Sequence, residues 1–478
     1  MATEARSHPS GAVGPPGRLG RPAIAALGVL ALTLGALQSV VEPALPLLQR
    51  ELGIGPAEGA LVANALLVTG AVATPVAGRL GDRYGGKRVL VRLMAVVVAG
   101  GLLASVAPGL PVLLLGQVLQ GVMVGALPLS FILVRGHLPA GRSQGAIGLV
   151  VALFTGGGMV GTLVAGPIAD ILSWHAMFAL PTLVIAVTTP VVSRLMPDDP
   201  PLGPDSRVDW PGMLLLSGTL LAFMLGLVTV TSGGLPPFAV GALALTAAGL
   251  ATCWVAVERR TASPMVDPRM LARPATAHAY MFTFLVTISS GMVLFLVPQL
   301  LAAPQDGSGF GLDATGIGLV LLPGAVAGAV SDSVGGVAAR RFGPRAVVVA
   351  GTAVTAATMI SLASWHTAAW QLALAKAVTA FAAGVGTTAL LAGTATAVDA
   401  RDTGVVTGLL VVTRVIGIAL GAQAGGAILA AGADPETGLA PESAFAAGFV
   451  AAGLVAAPAL LVVRVTHAKK TTDKGVQA

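Results

Sequence analysis

Charge is scarce in this sequence. Lys, Arg, Asp and Glu make up 10% of its 478 residues, whereas a soluble domain carries about 25%. Hydrophobic residues make up 55%, and the mean hydropathy is +0.88. The composition therefore excludes an ordinary soluble domain and indicates a protein whose surface mostly faces lipid.

Motifs that carry chemistry are scarce as well. The single cysteine, Cys253, lies in an apolar stretch and cannot build a disulfide framework or a metal cluster. The sequence has no Gly-Lys-Ser/Thr phosphate-binding loop, so ATP is not indicated as an energy source. It has no metal-ligand spacing and no nucleophile elbow. We therefore expect no cofactor, no metal site and no enzymatic activity.

Long apolar runs, by contrast, recur along the whole chain. A helix needs about 20 mostly apolar residues to cross about 30 Å of hydrocarbon. The 63 glycines within and between these runs favour close helix packing in lipid. We predict fourteen spans, at 22–46, 58–79, 88–107, 110–134, 144–171, 175–195, 210–231, 236–257, 276–301, 314–335, 345–364, 370–394, 404–431 and 444–464.

The basic residues predict the orientation of these spans. Cytoplasmic loops carry an excess of Lys and Arg. With the N-terminus inside, all but three of the 27 Lys and Arg lie in cytoplasmic segments. The exceptions are Arg50 in an outer loop and Lys376 and Arg414 within spans. We therefore expect a multi-pass protein of the plasma (inner) membrane with both termini cytoplasmic, and no nucleic-acid partner.

The predicted spans divide into groups of six, two and six. Polar segments that contain prolines flank the central pair, as is typical of linkers. We expect a cytoplasmic tail at 1–21 followed by an uncleaved first helix. The further units are a six-helix bundle at 22–195, linkers with spans 7 and 8 at 196–273, a second six-helix bundle at 274–464 and a cytoplasmic tail at 465–478.

An internal repeat supports two related halves. Gly78-Arg-Leu-Gly-Asp-Arg-Tyr-Gly85 follows span 2, and Gly336-Val-Ala-Ala-Arg-Arg-Phe-Gly343 follows span 10. Repeated halves are usual in secondary transporters, with the substrate site between them near the membrane midplane. The predicted fold is all-α, with two six-helix bundles and an inserted two-helix hairpin.

Several motifs carry a resemblance to a known family. The loop after span 2 resembles the loop 2–3 signature of the major facilitator superfamily, through Gly78, Leu80, Asp82, Arg83, Gly85, Lys87 and Arg88. Five further stretches resemble the fourteen-helix drug/proton antiporter family: Ser173-Trp174, Asp209-Trp210-Pro211-Gly212, Glu258 with Pro264-Met-Val-Asp267 before span 9, Leu322-Pro323-Gly324 and Thr413-Arg414. The resemblance covers nearly the whole chain. It implies the major facilitator fold and transport by alternating access.

The chain also departs from the family's pattern. Leu37 stands where the helix-1 pattern has Asp, and Glu42 where Asn is usual. Gln117 replaces an Arg of helix 4, Thr162 replaces the Pro of a Gly-Pro pair in helix 5, and Arg340 stands where Asp is expected. Three of these positions are ones that the family associates with proton coupling or antiport. A proton antiporter and an uncoupled carrier therefore both remain open.

Carboxylates within spans are candidates for proton coupling, because a charge inside the bilayer costs at least about 2.5–3.5 kcal/mol and tends to face a partner or a cavity. Glu42, in the outer third of span 1, is the main candidate, and it is also a candidate for binding a cationic substrate. The alternative is an interfacial surface charge. Asp332, near the inner end of span 10, is the second candidate, or else pairs with Arg340 or Arg341 at an inner gate.

Two cations within spans have different expected roles. Lys376 lies a turn or two inside the outer end of span 12. It either snorkels to the interface or faces the cavity and binds anionic substrates. Arg414 is the deepest charge and cannot readily lose its proton. We therefore expect it to be a buried structural charge held in an ion pair.

Four amide side chains within spans are further candidates for substrate binding: Gln38, Asn64, Gln117 and Gln120. Gln117 and Gln120 are one turn apart and share a helix face. The alternative is that these amides tie helices together through hydrogen bonds.

The resemblance implies a conformational gate at the repeated loops, formed by Gly78, Asp82, Arg83, Gly85 and Arg88 in the first half and by Arg340 and Arg341 in the second. Span 13 begins at Asp402-Thr403, and its N-terminus carries a partial positive charge. Asp82 is expected to dock there in one conformation and to leave in the other.

Together these features predict a secondary transporter that exports small amphiphilic compounds by proton antiport. Its partners would be a small-molecule substrate, protons and the lipid bilayer, and we expect it to be monomeric. An uptake carrier or uniporter for a small metabolite is the first alternative. A lipid-handling membrane protein is the second. The sequence contains only two Tyr and five Trp, so it does not indicate a broad aromatic binding cage.

Overall fold

A computed structural model describes residues 20–197, most of 210–226, 237–261, 274–305, 309–397, 403–434 and 439–474. The described part of the chain is built from helices, and thirteen of them are long and apolar enough to cross a membrane. The seventh predicted span, 210–231, is helical at the positions described and lies otherwise outside the described residues. The helices agree with the all-α, fourteen-span prediction.

The first six spans are formed by eight α-helices, because two spans are interrupted. The first span consists of α1 and α2, and the fourth consists of α5 and α6 joined by a short 3₁₀ segment at Val122–Gly125. The helices are α1 Arg21–Ser39, α2 Val41–Leu52, α3 Pro56–Tyr84, α4 Gly86–Ser105, α5 Leu110–Gly121, α6 Ala126–His137, α7 Ala140–Ile171 and α8 Trp174–Leu195.

The rest of the chain continues with single helices. The helix α9, Pro237–Glu258, belongs to the inserted hairpin. The last six spans are α10 Pro274–Ala302, α11 Ala314–Phe342, α12 Pro344–Leu362, α13 Ala369–Ala397, α14 Thr403–Gly432 and α15 Glu442–Lys474.

The two halves pack in the same way, through glycines. In the first half, Gly35 of α1 lies against the backbone of Phe154 in α7, so closely that a Cβ at Gly35 would clash with the Phe154 carbonyl. In the second half, Gly421 of α14 lies equally close to the carbonyl of Ile288 in α10. Without a side chain between them, each pair of helices is in backbone contact.

The first span is not the continuous helix that the sequence predicts. The helix α1 ends at Ser39, and α2 begins at Val41. Pro43 explains the break, because proline has no N–H to donate to the Ser39 carbonyl and its ring clashes with that carbonyl. The break places Glu42 in the first turn of α2.

The repeated motifs form the same turn in both halves. Gly85 separates α3 from α4 with φ of 93°, and Gly343 separates α11 from α12 with φ of 82°. Only glycine adopts these dihedral angles without strain. The internal repeat is therefore visible in backbone conformation as well as in sequence.

Candidate functional site: a gate between the two bundles

The molecule has two ends, for which we use fixed names. The basic end carries the turns at Gly85 and Gly343. The far end carries the turn at Gly53 between α2 and α3 and the segment 309–313 before α11. The polar contacts described below join the two bundles in the half of the molecule next to the far end, and together they form what we call the far-end gate.

An ion pair between the bundles is the main feature of the gate. The Nζ atom of Lys376 in α13 donates to Oε1 of Glu42 in α2 at 2.5 Å. The two side chains are only 12% and 22% exposed. The carboxylate also lies in the first turn of α2, where the helix dipole favours a negative charge. The sequence singled out both residues, and the structure brings them together.

Gly324 makes room for this ion pair. An added Cβ at Gly324 in α11 would lie 2.5 Å from Cγ of Lys376. The lysine stem therefore passes over a glycine of the neighbouring helix on its way to Glu42. Within the Leu322-Pro323-Gly324 motif, the glycine is therefore needed to leave space for the Lys376 side chain.

Two further side-chain contacts cross between the bundles near the far end. Nε2 of Gln299 in α10 donates to Oε1 of Gln49 in α2 at 2.6 Å. Oδ2 of Asp170, at the end of α7, accepts from the backbone N–H of Thr315 at 3.0 Å and from its hydroxyl at 2.6 Å. Asp170 therefore caps the N-terminus of α11, a helix of the other bundle.

Amide side chains join α3 to α14 in the same half. Nδ2 of Asn64 donates to the carbonyl oxygen of Ala419 at 2.8 Å, and this bond is buried. Nε2 of Gln423, one turn further along α14, donates to the carbonyl oxygen of Ala57 at 3.2 Å. Asn64 thus ties helices together in this conformation, which is the alternative role considered from the sequence.

Backbone contacts close the far end further. Gly166 of α7 lies so close to the backbone of Thr315 that a Cβ would clash with it. A Cβ at Gly426 of α14 would lie 2.9 Å from the carbonyl oxygen of Pro56. These glycines leave no passage between the bundles at the places where they meet.

The helices α3 and α7 of the first bundle are uncovered toward the basic end. A Cβ added at Gly78 of α3, or at Gly148 or Gly156 of α7, would meet no atom of the described residues within 4 Å. At the far end, α3 and α7 are in close contact with α14 and α11. Among the described residues, the bundles therefore meet at the far end and show no such contact toward the basic end.

Arg414 corrects an expectation from the sequence. The prediction of a buried structural charge is wrong, because the side chain is exposed and has no ion pair among the described residues. Arg414 lies on α14 on the basic side of Ala419, whose carbonyl accepts the Asn64 bond. Because the bundles part beyond that contact, the helix is uncovered at the depth of Arg414.

The two glutamines of the fourth span are enclosed within the first bundle. Gln117 and Gln120 are fully buried, and their amide atoms have no hydrogen-bond partner among the described residues. Gly116 and Gly121 flank them and contact α4 and α3, respectively. In this conformation the glutamines lie in the bundle interior, and buried amides without partners cost about 1–3 kcal/mol each.

Gln38 and the residues of the repeated loops complete the candidate set. Gln38 is partly buried, and its Oε1 has no partner among the described residues. Arg88, Arg340 and Arg341 are exposed at the basic end. The side chains of Asp82 and Asp332 lie outside the described residues, so docking of Asp82 and coupling through Asp332 stay predictions.

A stacking contact repeats between the two loops. The guanidinium of Arg83 lies over the ring of Tyr84 at 5.3 Å, and that of Arg341 lies over the ring of Phe342 at 5.5 Å. Both pairs directly precede the glycine that has a positive φ. The contact helps to fix the arginines beside each turn.

Several gate residues were not predicted as such from the sequence: Gln49, Asp170, Gln299, Thr315 and Gln423. Each is an ordinary polar residue whose partner lies in the other bundle. The one feature of the sequence that pointed to a contact between the bundles is that Glu42 and Lys376 are predicted at similar depth and carry opposite charges.

Comparison with known proteins identifies the family. Residues 27–257 and 279–478 match the profile of the Major Facilitator Superfamily. The chain belongs to this superfamily. The superfamily match covers both halves of the chain, in agreement with the repeated architecture.

Relatives within the superfamily include transporters named for export. The chain is 29% identical over 453 residues to an uncharacterised MFS-type transporter, Rv1877, of Mycobacterium tuberculosis, with 91% of this chain and 62% of that protein covered. It is 27% identical to the tetracenomycin C resistance and export protein of Streptomyces glaucescens, over 75% of this chain and 67% of that protein. The putative multidrug resistance protein MdtD of Salmonella typhimurium is 25% identical, over 66% of each chain.

Solved structures of superfamily transporters share the fold. The nucleoside transporter NupG superposes with a TM-score of 0.66 at 12% identity, covering 92% of this chain and 99% of that one. A bacterial homologue of the human lysosomal transporter Spinster, solved in an inward-facing and occupied conformation, also gives a TM-score of 0.66, at 14% identity and with 92% and 95% covered. The fold is that of a multi-pass membrane transporter.

Proposed function

We propose that this protein is a proton-coupled exporter of small amphiphilic compounds, and that the Glu42–Lys376 ion pair couples the proton to the opening of the far end. The observation that carries the proposal is the placement of this pair. It joins the two bundles at 2.5 Å, in the half of the molecule that is closed. Two relatives named for drug resistance and export support the direction of transport.

The orientation of the molecule follows from its charges. The turns at Gly85 and Gly343 are flanked by Arg83, Arg88 and Arg341, and basic loops face the cytoplasm. The conformation described is then open to the cytoplasm and closed to the outside. Substrate enters between the bundles from the cytoplasm and leaves when the far end opens.

The Glu42 carboxylate of the ion pair is the proton-binding group in this cycle. In the cytoplasm-open conformation Glu42 is ionised and holds Lys376. A cationic amphiphile that enters from the cytoplasm competes with Lys376 for the carboxylate and weakens the gate. When the bundles rock open, Glu42 is separated from Lys376 and takes up a proton from outside. When the far end closes again, Glu42 gives up that proton toward the cytoplasm and pairs with Lys376 once more.

Proton movement in everted membrane vesicles tests the proposal. Respiration acidifies the vesicle interior, and a pH-gradient dye reports proton release when a cationic dye such as ethidium is added. We expect release with the wild type and none with Glu42→Gln. Glu51→Gln is the matched control, because Glu51 lies on the same helix α2 but is exposed.

Each outcome decides one part of the proposal. Release that is lost in Glu42→Gln and kept in Glu51→Gln supports coupling at the gate. Equal release in all three proteins keeps antiport but contradicts the role of Glu42, and Asp332 becomes the next candidate. No release with cationic, neutral or anionic amphiphiles contradicts coupled export and favours an uptake carrier or uniporter.

A further inference from the structure

An apolar groove lies on the second bundle, away from the gate. Its volume is about 480 Å³, within the range of small-molecule sites. It is lined by one residue of α11, four of α12 and five of α13, among them Ala327, Val347, Ala350, Val354, Phe381 and Val385. Every one of these side chains is apolar.

The groove faces away from the other bundle. Lys376 of α13 points toward the first bundle, where it holds Glu42. Val385 lies nine residues further along α13, which is two and a half turns, so it points in the opposite direction. Val354 and Phe381 on the rim are 44% and 38% exposed. In a membrane this surface faces the lipid.

Along its α12 wall the groove is somewhat shorter than one leaflet of the bilayer. Along α12 it runs from Val347 to Val354, which is about 10 Å at 1.5 Å per residue. One leaflet contributes about 15 Å of hydrocarbon. Since α12 begins at Pro344, the α12 wall of the groove starts in the leaflet next to the basic end, and on α13 the groove extends as far as Ala377, the neighbour of Lys376.

Positive charge surrounds the end of the groove that is nearest to the membrane surface. Arg340, Arg341 and Arg345 flank the turn at Gly343, and no Asp or Glu occurs between residues 333 and 398. Arg341 lies fourteen residues after Ala327 of the groove, almost four full helical turns, so both are on the same face of α11. Arg340, one residue earlier, is rotated by about 100° around the helix from Arg341. Arg341 is exposed, and its guanidinium, which lies over the Phe342 ring, still has N–H donors for a headgroup phosphate.

We propose that this groove binds one acyl chain of an anionic phospholipid whose phosphate contacts Arg341. A single chain suits a narrow apolar groove of this size, and the cationic end selects a negative headgroup over a zwitterionic one. The site goes beyond the proposed transport function and does not depend on it. The bound chain fills the space between α11 and α12 on the lipid side.

Native mass spectrometry of the purified full-length protein tests the site, with phosphatidylglycerol and phosphatidylcholine of identical acyl chains as probes. The wild type should retain one phosphatidylglycerol, in preference to phosphatidylcholine. Ala350→Leu fills the groove and should abolish this retention. Ala353→Leu is the matched control, because Ala353 is exposed on the same helix but does not line the groove.

A second pair of variants tests the headgroup contact. Arg341→Gln should reduce the preference for phosphatidylglycerol about fivefold, the effect of one Arg near an anionic lipid. Arg340→Gln removes the same charge one position away and should leave the preference unchanged. Equal retention by Ala350→Leu and the wild type would overturn the proposal. A wild-type oligomer that Ala350→Leu converts to monomers would also overturn it, because the groove would then be an interface between copies.

Discussion

Two single residues, Glu42 and Lys376, form the ion pair between the bundles on which the proposed gate depends. They lie 334 positions apart, and no local pattern relates them. The sequence makes each of them a functional candidate, because a charge within an apolar span is costly. Their pairing depends on how the two bundles meet, which is a tertiary property. The same reason explains why Asp170 and Thr315 were not predicted as partners.

The gate pair makes a testable prediction about stability. Lys376→Gln leaves the Glu42 carboxylate partly buried without a partner and should lower the thermal unfolding temperature. Removing both charges, in Glu42→Gln/Lys376→Gln, should restore part of the loss, because no unpaired charge remains. We expect a coupling of about 1–3 kcal/mol, as for residues in direct contact.

The control for this cycle is the double variant Glu51→Gln/Lys376→Gln. Glu51 is exposed on the same helix as Glu42, so its neutralisation should not rescue Lys376→Gln. Purely additive effects of Glu42→Gln and Lys376→Gln would show that the ion pair contributes no stability to the closed far end.

The helices themselves were largely predictable. The last predicted spans, 404–431 and 444–464, correspond to α14 at Thr403–Gly432 and α15 beginning at Glu442. Each span is set by its own apolar run and by the thickness of the bilayer, so no tertiary information is needed. The break at Val40 was missed, although Pro43 is its physical cause. It matters because it places Glu42 at a helix N-terminus.

The repeated glycine turn makes a prediction at the scale of the helices. Gly343 has φ of 82°, where a residue with a Cβ is strained. Gly343→Ala should therefore destabilise the protein by about 1–3 kcal/mol, measured as a lower unfolding temperature in detergent.

Gly336→Ala is the matched control for that turn. Gly336 lies inside α11, and an added Cβ meets nothing within 4 Å. Because Ala is the better helix former, this variant should unfold at the same temperature or higher. Equal destabilisation by both substitutions would contradict a special role of the turn.

The sequence did not indicate which end of the molecule is closed, and only the three-dimensional structure shows it. The repeat predicted two bundles with a site between them, but their relative tilt depends on contacts such as Asn64 with Ala419. The exposure of Arg414 has the same origin. Arg414 was expected to be buried in an ion pair because the spans were assumed to be packed along their whole length. The bundles instead part toward the basic end.

Closure of the far end should be sensitive to the size of residue 166. A side chain at Gly166 would clash with the backbone of Thr315, so Gly166→Val should hold the far end open and abolish transport. A cysteine at residue 39, near the break between α1 and α2, should then react faster with an impermeant maleimide from outside, in a Cys253→Ser background.

Gly241→Val controls for the general effect of valine in a spanning helix. A Cβ at Gly241 of α9 would meet nothing within 4 Å, so transport and labelling should be unchanged. Unaltered transport by Gly166→Val would show that α7 and α11 need not touch during the cycle.

The central claim is that the Glu42–Lys376 pair holds the far end closed and the basic end open. The most direct test is a distance distribution between spin labels at residues 148 and 336, on the uncovered basic halves of α7 and α11, again in a Cys253→Ser background. We expect mainly long distances in the wild type. In Glu42→Gln, which cannot hold Lys376 as an ion pair, the distribution should shift to shorter distances as the basic end closes. An unchanged distribution in Glu42→Gln would contradict the account.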